Sequence, residues 1–403
     1  MPVKILGGDT LLAGVLQIAP SKLIKSVLYT NEYKTHYLPK KSGGRRRIDE
    51  PPEIVKDIQK RILNIYFRNW SERGWLDKAI TGFVRGQSIK TNALFHWDMN
   101  LRYTWRLDFK NAFPSLTYNV IRQTLSHYIQ QELNSYHAVQ IARQNGKVVI
   151  EAFSPLYSTR KTAWFRNLLN DYKNNDGTKE FVDYLVEGLV DFLTHLVTYQ
   201  KKIPQGAPTS PFLLNLVVSY SQIMKKIREY LQSEGIKARV SIYADDITIS
   251  SSERIKFPVI QKVIGIIEAS HIFKISREKT LSFDITKKAP LITGLKLVKV
   301  TPVNQVMKNV WLRRLPTAHK NNIAMNTVGK PLRPFIIISL GKKNTKKIRA
   351  IIHLATKRPT EKLNKKVSGY IAYLNDIYGG DLPRQISTPY KKYLSQQKQK
   401  AQD

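Results

Sequence analysis

Two apolar strand patterns enclose a pair of adjacent aspartates, and this arrangement constrains the fold more than any other part of the sequence. Val240 and Ile242 alternate with polar residues before the pair, and Ile247 and Ile249 alternate after it. Apolar residues at every second position are typical of half-buried β-strands, and two such strands around a short turn predict a β-hairpin. The turn of this hairpin would carry the carboxylates of Asp245-Asp246.

A third carboxylate ends another predicted strand, because Asp108 follows an extended pattern that begins at Tyr103. Three carboxylates brought together repel one another unless a divalent cation lies between them. Two magnesium ions held in this way can activate a 3′-hydroxyl and stabilise the leaving pyrophosphate in phosphoryl transfer. Taken alone, an Asp-Asp pair is more often an ordinary turn dipeptide. The surrounding sequence therefore has to decide between the two interpretations.

The charge balance points to a polyanionic partner. The 403 residues include 66 Lys and Arg against 30 Asp and Glu, which gives a formal net charge of +36. Each phosphate that a basic side chain neutralises releases condensed counterions and adds salt-sensitive affinity. An enzyme for a small neutral metabolite has no use for such a field. The sequence therefore predicts a nucleic-acid partner, with membrane-surface binding or solubility as the alternatives.

Composition excludes several other kinds of site. The chain has no cysteine, which removes disulfides, thiolate metal sites and thiol nucleophiles, and its eight histidines form no H-x-x-x-H pair. No apolar run reaches the ~18 residues that a membrane helix needs. The N-terminal stretch is interrupted by Asp9 and lacks the core of a signal peptide. We expect a soluble, cytoplasmic protein that binds no membrane.

Hydrophobic periodicity predicts a mixture of helices and strands. A basic arm turns at Gly43-Gly44, and Pro51-Pro52 opens a helix. Asn145-Gly146 predicts a turn inside a less legible stretch at 135–200, and Gly379-Gly380 ends the last predicted helix. Apolar residues at three- and four-residue spacing predict helices within 55–66, 121–129, 181–196, 213–220, 259–267, 348–355 and 363–374.

Several segments resemble motifs of reverse transcriptases and occur in the same order. Tyr243–Asp246 resembles the Y-x-D-D box, Leu107–Ser115 resembles the first aspartate motif, and Pro204–Pro211 is similar to the Q-G-x-x-x-S-P motif. Lys279-Thr280 resembles the lysine motif that follows. Ile292–Leu295 lies where the strand of the primer grip would be.

The resemblance covers most of residues 35–300 and extends to the retron type of bacterial reverse transcriptase. Asn92–His96 matches the N-A-x-x-H box of that family, and Ile292–Leu295 differs by one conservative change from its V-T-G-L box. The sequence departs from the family at two places. Ala112 replaces the first aromatic residue of a Phe-Phe pair, and the stretch at 135–200 is longer than expected between these motifs.

The resemblance implies an α+β fold of the right-hand polymerase type. The fingers would occupy residues 1–100. The palm, with an antiparallel sheet and further finger elements, would occupy 101–300 and would contain an insertion near 135–200. A basic helical thumb, which is also an RNA-binding region, would occupy 301–403.

The resemblance also assigns catalytic roles. Asp108 and Asp245 would bridge two Mg²⁺ ions, and Asp246 would complete the ion nearer the primer terminus. The backbone carbonyl of Phe109 would be a further ligand. Phe113 would lie under the incoming sugar and leave no room for a 2′-hydroxyl, which selects deoxynucleotides. The alternative for Phe113 is an ordinary core position.

Nucleotide and RNA contacts follow from the same motifs. Gln205 and Gly206 would border the nucleotide pocket, with a purely structural loop as the alternative. Arg45 or Arg47 would hold the triphosphate through the guanidinium fork, unless they form only a solvated charge run. Lys279 would protonate the pyrophosphate or only neutralise it, with an ordinary surface lysine on a loop as the alternative. The predicted RNA-binding residues are Asn92, His96, Thr293, Gly294, Lys342, Lys343, Lys346 and Lys347.

Two of these predictions have a structural alternative of their own. Asn92 and His96 are four residues apart, so they would share one face if their segment is helical. From that face they could contact RNA, or they could only connect the fingers to the palm.

The sequence as a whole thus predicts an RNA-directed DNA polymerase of retron type, a nucleotidyltransferase. By resemblance, it would copy part of a structured noncoding RNA into single-stranded DNA from dNTPs. It would prime from a guanosine 2′-hydroxyl of the same RNA, which gives branched msDNA, and would serve anti-phage defence with a separate effector protein. Two alternatives stay open: another bacterial reverse transcriptase, from a group II intron or a non-retron defence system, and a catalytically silent RNA-binding protein.

Overall fold

The computed structural model describes residues 16, 18–40, 43–97, 100–144, 178–300, 335–340, 342–378, 380 and 382–399. The chain divides into two compact units whose segments alternate along the sequence. Unit 1 comprises Met1–Arg85, Phe109–Ile227 and Lys262–Ile275. Unit 2 comprises Gly86–Asp108, Arg228–Gln261 and Ser276–Asp403.

The described residues form nine strands, all paired antiparallel, and thirteen α-helices. The strands are β1 (Lys34–Pro39), β2 (Arg45–Glu50), β3 (Tyr103–Asp108), β4 (Ala238–Tyr243), β5 (Asp246–Ser251), β6 (Leu281–Asp284), β7 (Leu291–Ile292), β8 (Leu295–Val300) and β9 (Phe335–Leu340). The α-helices are α1 (Pro20–Leu28), α2 (Glu53–Ile62), α3 (Arg68–Glu72), α4 (Ile89–Phe95), α5 (Ala112–Ser115), α6 (Tyr118–Gln144), α7 (Thr178–Val197), α8 (Ser210–Tyr220), α9 (Ile223–Ser233), α10 (Phe257–Glu268), α11 (Lys342–Lys357), α12 (Glu361–Tyr378) and α13 (Arg384–Gln399).

In unit 1, β1 and β2 form the hairpin of the predicted basic arm. Gly43 and Gly44 both adopt positive φ, +88° and +76°, a conformation that glycine reaches without the steric cost of a Cβ atom. The amide of Lys40 donates a hydrogen bond of 3.0 Å to the carbonyl oxygen of Gly44. The predicted turn at the Gly-Gly pair is therefore confirmed.

The core of unit 1 is rich in aromatic side chains. Trp70 is fully buried and stacks on Tyr128 with a ring-centroid separation of 5.3 Å. Phe67 stacks on Phe212 at 5.7 Å, which connects α8 to the helical segment before α3. The indole N–H of Trp70 donates to the carboxylate of Glu132, so that the polar atom of this buried ring has a partner.

Unit 2 contains a four-stranded antiparallel sheet in the order β4-β5-β3-β6. The predicted hairpin is confirmed by its register, because Val240 pairs with Ile249 and Ile242 pairs with Ile247. All four side chains are at most 3% exposed. The alternation that predicted two strands thus comes from cross-strand pairs that fill one face of the sheet.

A second sheet of unit 2, in the order β7-β8-β9, packs with the C-terminal helices into an apolar core. The two predicted C-terminal helices are confirmed as α11 and α12, whose buried side chains include Ile352 and Leu374. Gly380 follows α12 with a φ of +89°, as expected for a glycine that ends a helix. Helix α13 was not predicted because its sequence is strongly polar and Pro389 lies inside it.

The described elements confirm the predicted α+β class. The turn predicted at Asn145-Gly146 lies outside the described residues, as does half of the predicted insertion, residues 145–177. The division into fingers, palm and thumb stays a prediction, since each compact unit collects segments from more than one of the proposed parts. Among the described helices, none combines the length and the apolar composition needed to cross a membrane.

Candidate active site

Three aspartates lie at one end of the four-stranded sheet of unit 2. Asp108 is the last residue of β3 and is the cross-strand partner of Asp246, the first residue of β5. Asp245 lies in the two-residue turn that joins β4 to β5, after Ala244. The φ of Ala244 is +56°, a left-handed conformation that allows such a tight hairpin turn. Strand register and turn geometry therefore bring together the three predicted catalytic residues.

Two basic side chains form ion pairs with these carboxylates. The Lys279 ammonium lies 2.6 Å from Oδ2 of Asp108. Arg106 donates to both carboxylate oxygens of Asp246, at 2.7 Å and 2.9 Å. Arg106 was not among the predicted site residues, although a signal was present: Arg106 precedes Asp108 by two residues in a strand, so both side chains lie on the same face of the sheet.

Crowding of negative charge shows in the pKa values of the hairpin acids. Burial raises the pKa of Asp245, and the neighbouring carboxylates of Asp108 and Asp246 raise it further. Burial also raises the pKa of Asp246, while the Arg106 guanidinium opposes this shift. The folded protein therefore keeps acids in a place that disfavours their ionised form.

This set of donors fits a divalent cation by its chemistry. As the side chains stand, no three His, Cys, Asp or Glu residues in the described ranges form a group arranged to hold a metal ion. Carboxylate oxygens are nevertheless the hard ligands that Mg²⁺ prefers. Lys279 and Arg106 already supply positive charge to two of the three carboxylates. A divalent ion would likewise compensate the negative charge of carboxylates that otherwise repel one another.

In unit 1, the predicted triphosphate-binding strand is joined to the Gln-Gly loop. Arg47, on β2, donates to Asp49 Oδ1 at 2.8 Å and to Gln200 Oε1 at 2.9 Å. The amide of Asp49 donates to the carbonyl oxygen of Gln205 at 2.9 Å. Arg45 is exposed at the start of β2. Four of the predicted nucleotide-binding residues therefore belong to one connected part of unit 1: Arg45, Arg47, Gln205 and Gly206.

Gly206 is required by a close approach of two backbone segments. Its φ is +136°, and a Cβ atom at this position would lie 2.9 Å from Cγ2 of Ile48 and 3.0 Å from the carbonyl oxygen of Asp49. Any other residue would combine a steric clash with an unfavourable backbone conformation. This glycine therefore fixes the loop against β2, which is a structural role that does not exclude the predicted nucleotide contact.

The two predicted phenylalanines have different environments within unit 1. The ring of Phe109 is 1% exposed and stacks on Phe273 at 4.3 Å, so only its backbone could serve the predicted ligand role. Phe113 is half-buried in the short helix α5. A half-buried ring can still present one side to a ligand, as a sugar-excluding residue requires.

The two motifs that distinguish the retron type meet inside unit 2. Asn92 and His96, on α4 and just after it, are fully buried. His96 Nδ1 lies 2.7 Å from Oγ of Ser250, and its Nε2 lies 2.7 Å from Oγ of Ser241. Ser241 donates to Oδ1 of Asn92 at 2.7 Å, and Asn92 Nδ2 lies 3.5 Å from Oγ1 of Thr293.

These contacts and the neutral state of the His96 ring together fix the direction of each hydrogen bond. Because the hydroxyl hydrogen of Ser241 is used toward Asn92, its oxygen accepts from Nε2–H of His96. Nδ1 of His96 then accepts from the hydroxyl of Ser250. The imidazole must be neutral for this arrangement, and burial lowers the pKa of His96 to about 3. One chain of hydrogen bonds thus connects β5, β4 and α4 to the turn at Thr293.

The burial of Asn92 and His96 bears on the RNA-binding role predicted for them. Their side chains are bonded within unit 2 and offer no exposed polar surface, which favours the alternative of a structural connection. Thr293 and Gly294 differ, because they are half-buried in the turn between β7 and β8 and both have positive φ. Thr293 Oγ1 donates to the carbonyl oxygen of Ile89 at 3.2 Å, which supports its left-handed conformation.

The predicted RNA-binding lysines lie at the start of α11. Lys346 and Lys347 are exposed there. Lys342 and Lys343 belong to the first turn of the same helix. The helix therefore presents two adjacent basic side chains, Lys346 and Lys347, to solvent.

Comparison with known proteins identifies the family of this site. Residues 38–297 match the family model described as reverse transcriptase (RNA-dependent DNA polymerase). The chain belongs to the reverse transcriptase family. This family has the right-hand polymerase fold that the motifs predicted, and the matched residues include all three aspartates.

Curated relatives of this reverse transcriptase are retron enzymes. The retron Mx162 reverse transcriptase of Myxococcus xanthus is 28% identical over 244 residues, which span 59% of this chain and 41% of the relative. The retron Ec73 reverse transcriptase of Escherichia coli is 25% identical over 263 residues, 64% of this chain and 67% of the relative. The predicted resemblance to retron-type reverse transcriptases is confirmed, although the match spans less than half of the Myxococcus enzymes.

Solved structures similar to this chain include apo telomerase from Candida tropicalis. A form truncated from the C-terminal domain has a TM-score of 0.39 and 13% identity, and covers 67% of this chain and 54% of that chain. Telomerase from Candida albicans has a TM-score of 0.40 and 12% identity. That match covers 90% of this chain and 61% of the telomerase chain.

Replacement of Asp245 by the uncharged, equally large asparagine should stabilise the protein at neutral pH. An acid whose pKa is raised by folding binds more protons in the folded state, so stability falls as pH rises from about 3.8, the ordinary value, through the raised pKa. Asp245→Asn removes this loss. We expect a higher melting temperature than wild type at pH 7 without divalent ions, and a difference that disappears near pH 3.8.

The control for this prediction is Asp57→Asn. The hydrogen bond from Lys22 lowers the pKa of Asp57, so removal of this partly exposed acid should leave the melting temperature unchanged or slightly lower. An Asp245→Asn protein no more stable than wild type at pH 7 would contradict the predicted repulsion.

Loss of the Ser250 hydroxyl should destabilise unit 2, because it leaves Nδ1 of a fully buried histidine without its hydrogen-bond donor. We expect Ser250→Ala to lower the free energy of unfolding in urea by about 1–3 kcal/mol. Ser252→Ala is the matched control, since Ser252 is exposed two residues away and its change should stay within about 0.5 kcal/mol. Equal effects of the two substitutions would show that the hydrogen-bond chain does not contribute.

Proposed function

We propose that this chain is an RNA-directed DNA polymerase that extends a primer with dNTPs by nucleotidyl transfer. The observation that carries the proposal is the meeting of Asp108, Asp245 and Asp246 at one strand end, in a chain that belongs to the reverse transcriptase family. Their retention argues against a catalytically silent RNA-binding protein, which has no need to maintain repelling acids.

The three aspartates would hold two Mg²⁺ ions, in keeping with the use of divalent metal ions by this family. When bound, these ions would supply Lewis-acid activation of the primer 3′-hydroxyl and neutralise charge on the leaving pyrophosphate. Asp108 and Asp245 would be shared ligands, Asp246 would serve the ion nearer the primer, and the Phe109 carbonyl would add a ligand. Arg106 would keep the Asp246 carboxylate oriented.

Lys279 would handle a proton or a charge next to the reacting phosphates. Its ammonium lies 2.6 Å from Asp108, while 58% of its side chain is exposed. A charged group at the edge of the acidic cluster can follow a leaving pyrophosphate. We assign to Lys279 Nζ the donation of a proton to that group, or its neutralisation.

The nucleotide would be held by residues of unit 1, on the strength of the family motifs. Arg45 and Arg47 would bind phosphate oxygens with their guanidinium groups. Gln205 and Gly206 would border the base and sugar, and Phe113 would exclude a 2′-hydroxyl. The bond from Arg47 to Asp49 orients the arginine before any ligand binds.

The template and product would be those of a retron. The match of Asn92–His96 to the N-A-x-x-H box and the retron relatives favour a structured noncoding RNA that is copied into single-stranded DNA from a guanosine 2′-hydroxyl. The Thr293-Gly294 turn and the lysines of α11 would contact that RNA. A separate effector protein and a role in anti-phage defence complete the proposal.

Nucleic acid isolated with the protein tests this function. After expression in the producing cell, wild type should carry one RNA species joined through a 2′–5′ branch to single-stranded DNA. Asp245→Asn should carry the same RNA without DNA, because the metals rather than the fold depend on that carboxylate. Sequencing after debranching, with RNase and DNase digestion, measures both.

Three outcomes of this experiment are informative. Linear DNA without a branch would contradict the retron function and favour another bacterial reverse transcriptase. RNA without DNA in wild type would favour the silent RNA-binding protein. Full DNA synthesis by Asp245→Asn would contradict the assignment of the active site.

Sugar selection should depend on the ring of Phe113. Phe113→Ala opens space for a 2′-hydroxyl, so we expect the preference for dNTPs over rNTPs, measured as the ratio of kcat/KM, to fall by about 10-fold or more. Phe83→Ala is the control, since Phe83 is a half-exposed phenylalanine of unit 1 outside the motifs. An unchanged ratio in Phe113→Ala would remove its role in sugar selection.

A further inference from the structure

A groove in unit 2 combines aromatic and cationic side chains, and the two rings that line it from β3 lie on the sheet face opposite the three site aspartates. It has a volume of about 950 Å³ and is formed by β3, β6 and the segment before α10. Tyr103 and Trp105 line it from β3. Since neighbouring residues of a strand point to opposite faces, these two rings lie on the other face from Arg106 and Asp108.

The groove offers one oriented aromatic ring, that of Trp105, and one exposed ring, that of Phe257. Trp105 is half-buried, and its indole N–H donates to the carbonyl oxygen of Ile255 at 3.1 Å, which sets the plane of the ring. The ring centroids of Phe257 and Trp105 are 6.1 Å apart, with an angle of 30° between the ring planes. Phe257 is 52% exposed. An exposed phenylalanine beside an oriented tryptophan offers flat apolar surface in water, which stacking on a nucleobase would cover.

Cations surround these rings. The groove has five basic residues and one carboxylate, that of Asp284. This acid accepts hydrogen bonds from the backbone and side chain of Thr286, and it lies 3.8 Å from Nε of Arg102. The other four cations are exposed and form no salt bridge with any carboxylate in the described ranges; they are Arg254, Lys256, Lys287 and Lys288.

Two cations lie directly over aromatic rings of the groove. The guanidinium of Arg102 is 5.1 Å from the ring centre of Tyr103, and the ammonium of Lys288 is 5.8 Å from that of Phe283. Aromatic rings interleaved with unpaired cations match the two parts of a nucleic-acid strand, since bases stack on rings and phosphates pair with cations. A protein ligand would need acidic side chains at the same spacing, with no use for the stacked rings.

We propose that this groove binds a single-stranded segment of nucleic acid, RNA template or DNA product, outside the polymerase site. The proposal rests on the proposed function, because a polymerase that copies RNA has to manage unpaired strands before and after synthesis. The bases would stack on Trp105 and Phe257. The phosphates would pair with Arg254, Lys287 and Lys288.

Binding of labelled 20-nucleotide oligo(U) RNA and oligo(dT) DNA tests the proposal by fluorescence anisotropy across a range of salt concentrations. Phe257→Ala should weaken binding roughly fivefold or more, through the loss of one stacked base. Lys287→Glu combined with Lys288→Glu should weaken binding and reduce the slope of log affinity against log salt by about 1 to 2. The strand that loses more affinity, RNA or DNA, identifies the ligand of the groove.

The matched control is Lys225→Glu with Lys226→Glu, which makes the same change in net charge on exposed lysines of α9. It should retain wild-type affinity. At saturating poly(rA) and oligo(dT), both groove variants should also extend the primer at the wild-type rate, because the aspartates and not the groove would carry out the reaction. Failure of wild type to extend this primer would contradict the polymerase function, whereas the binding result concerns the groove alone.

The groove assignment would be overturned if both groove variants bind the oligonucleotides like wild type, or if the control loses as much affinity as the lysine pair. Wild-type affinity in both variants would point to a protein ligand instead. All substituted residues are exposed, so the variants should melt at the wild-type temperature; if one fails to fold, the other decides.

Discussion

The antiparallel pairing of β3 with β5 is the interaction on which the candidate active site depends. It places Asp108 opposite Asp246, although the two residues are far apart in sequence. The same pairing puts Arg106 within hydrogen-bonding distance of Asp246 and leaves the end of β3 next to Lys279. A slip of one residue in this register would turn Asp108 to the other face of the sheet and separate the acids.

The chain as a whole is strongly positive, whereas the candidate active site is a cluster of acids. A net charge of +36 suits a phosphate-rich ligand, yet phosphoryl transfer needs acids that hold divalent cations. The protein keeps these acids in a small cluster whose repulsion and burial raise the pKa of Asp245 and Asp246. A more stable Asp245→Asn protein would make this cluster an example of stability given up for the proposed function.

The retron motifs show how a sequence resemblance and a structure answer different questions. The resemblance marked Asn92, His96 and Thr293 as members of one family pattern, and RNA contact was the expected reason. The structure shows a chain of buried hydrogen bonds that connects these residues to both strands of the β4–β5 hairpin. Burial is a tertiary property, so no spacing rule could have distinguished a polar residue on a surface from one in a satisfied interior network.

The sequence by itself determined the local elements and singled out the three aspartates of the proposed active site. Alternation around Asp245-Asp246 predicted the hairpin because a half-buried sheet face requires apolar residues at every second position. Only the tertiary structure decided which distant groups meet, because pairing between strands depends on the whole sheet. It added Arg106 to the acids, a glycine at 206 that permits close backbone contact, and an aromatic, cationic groove on the other face of β3.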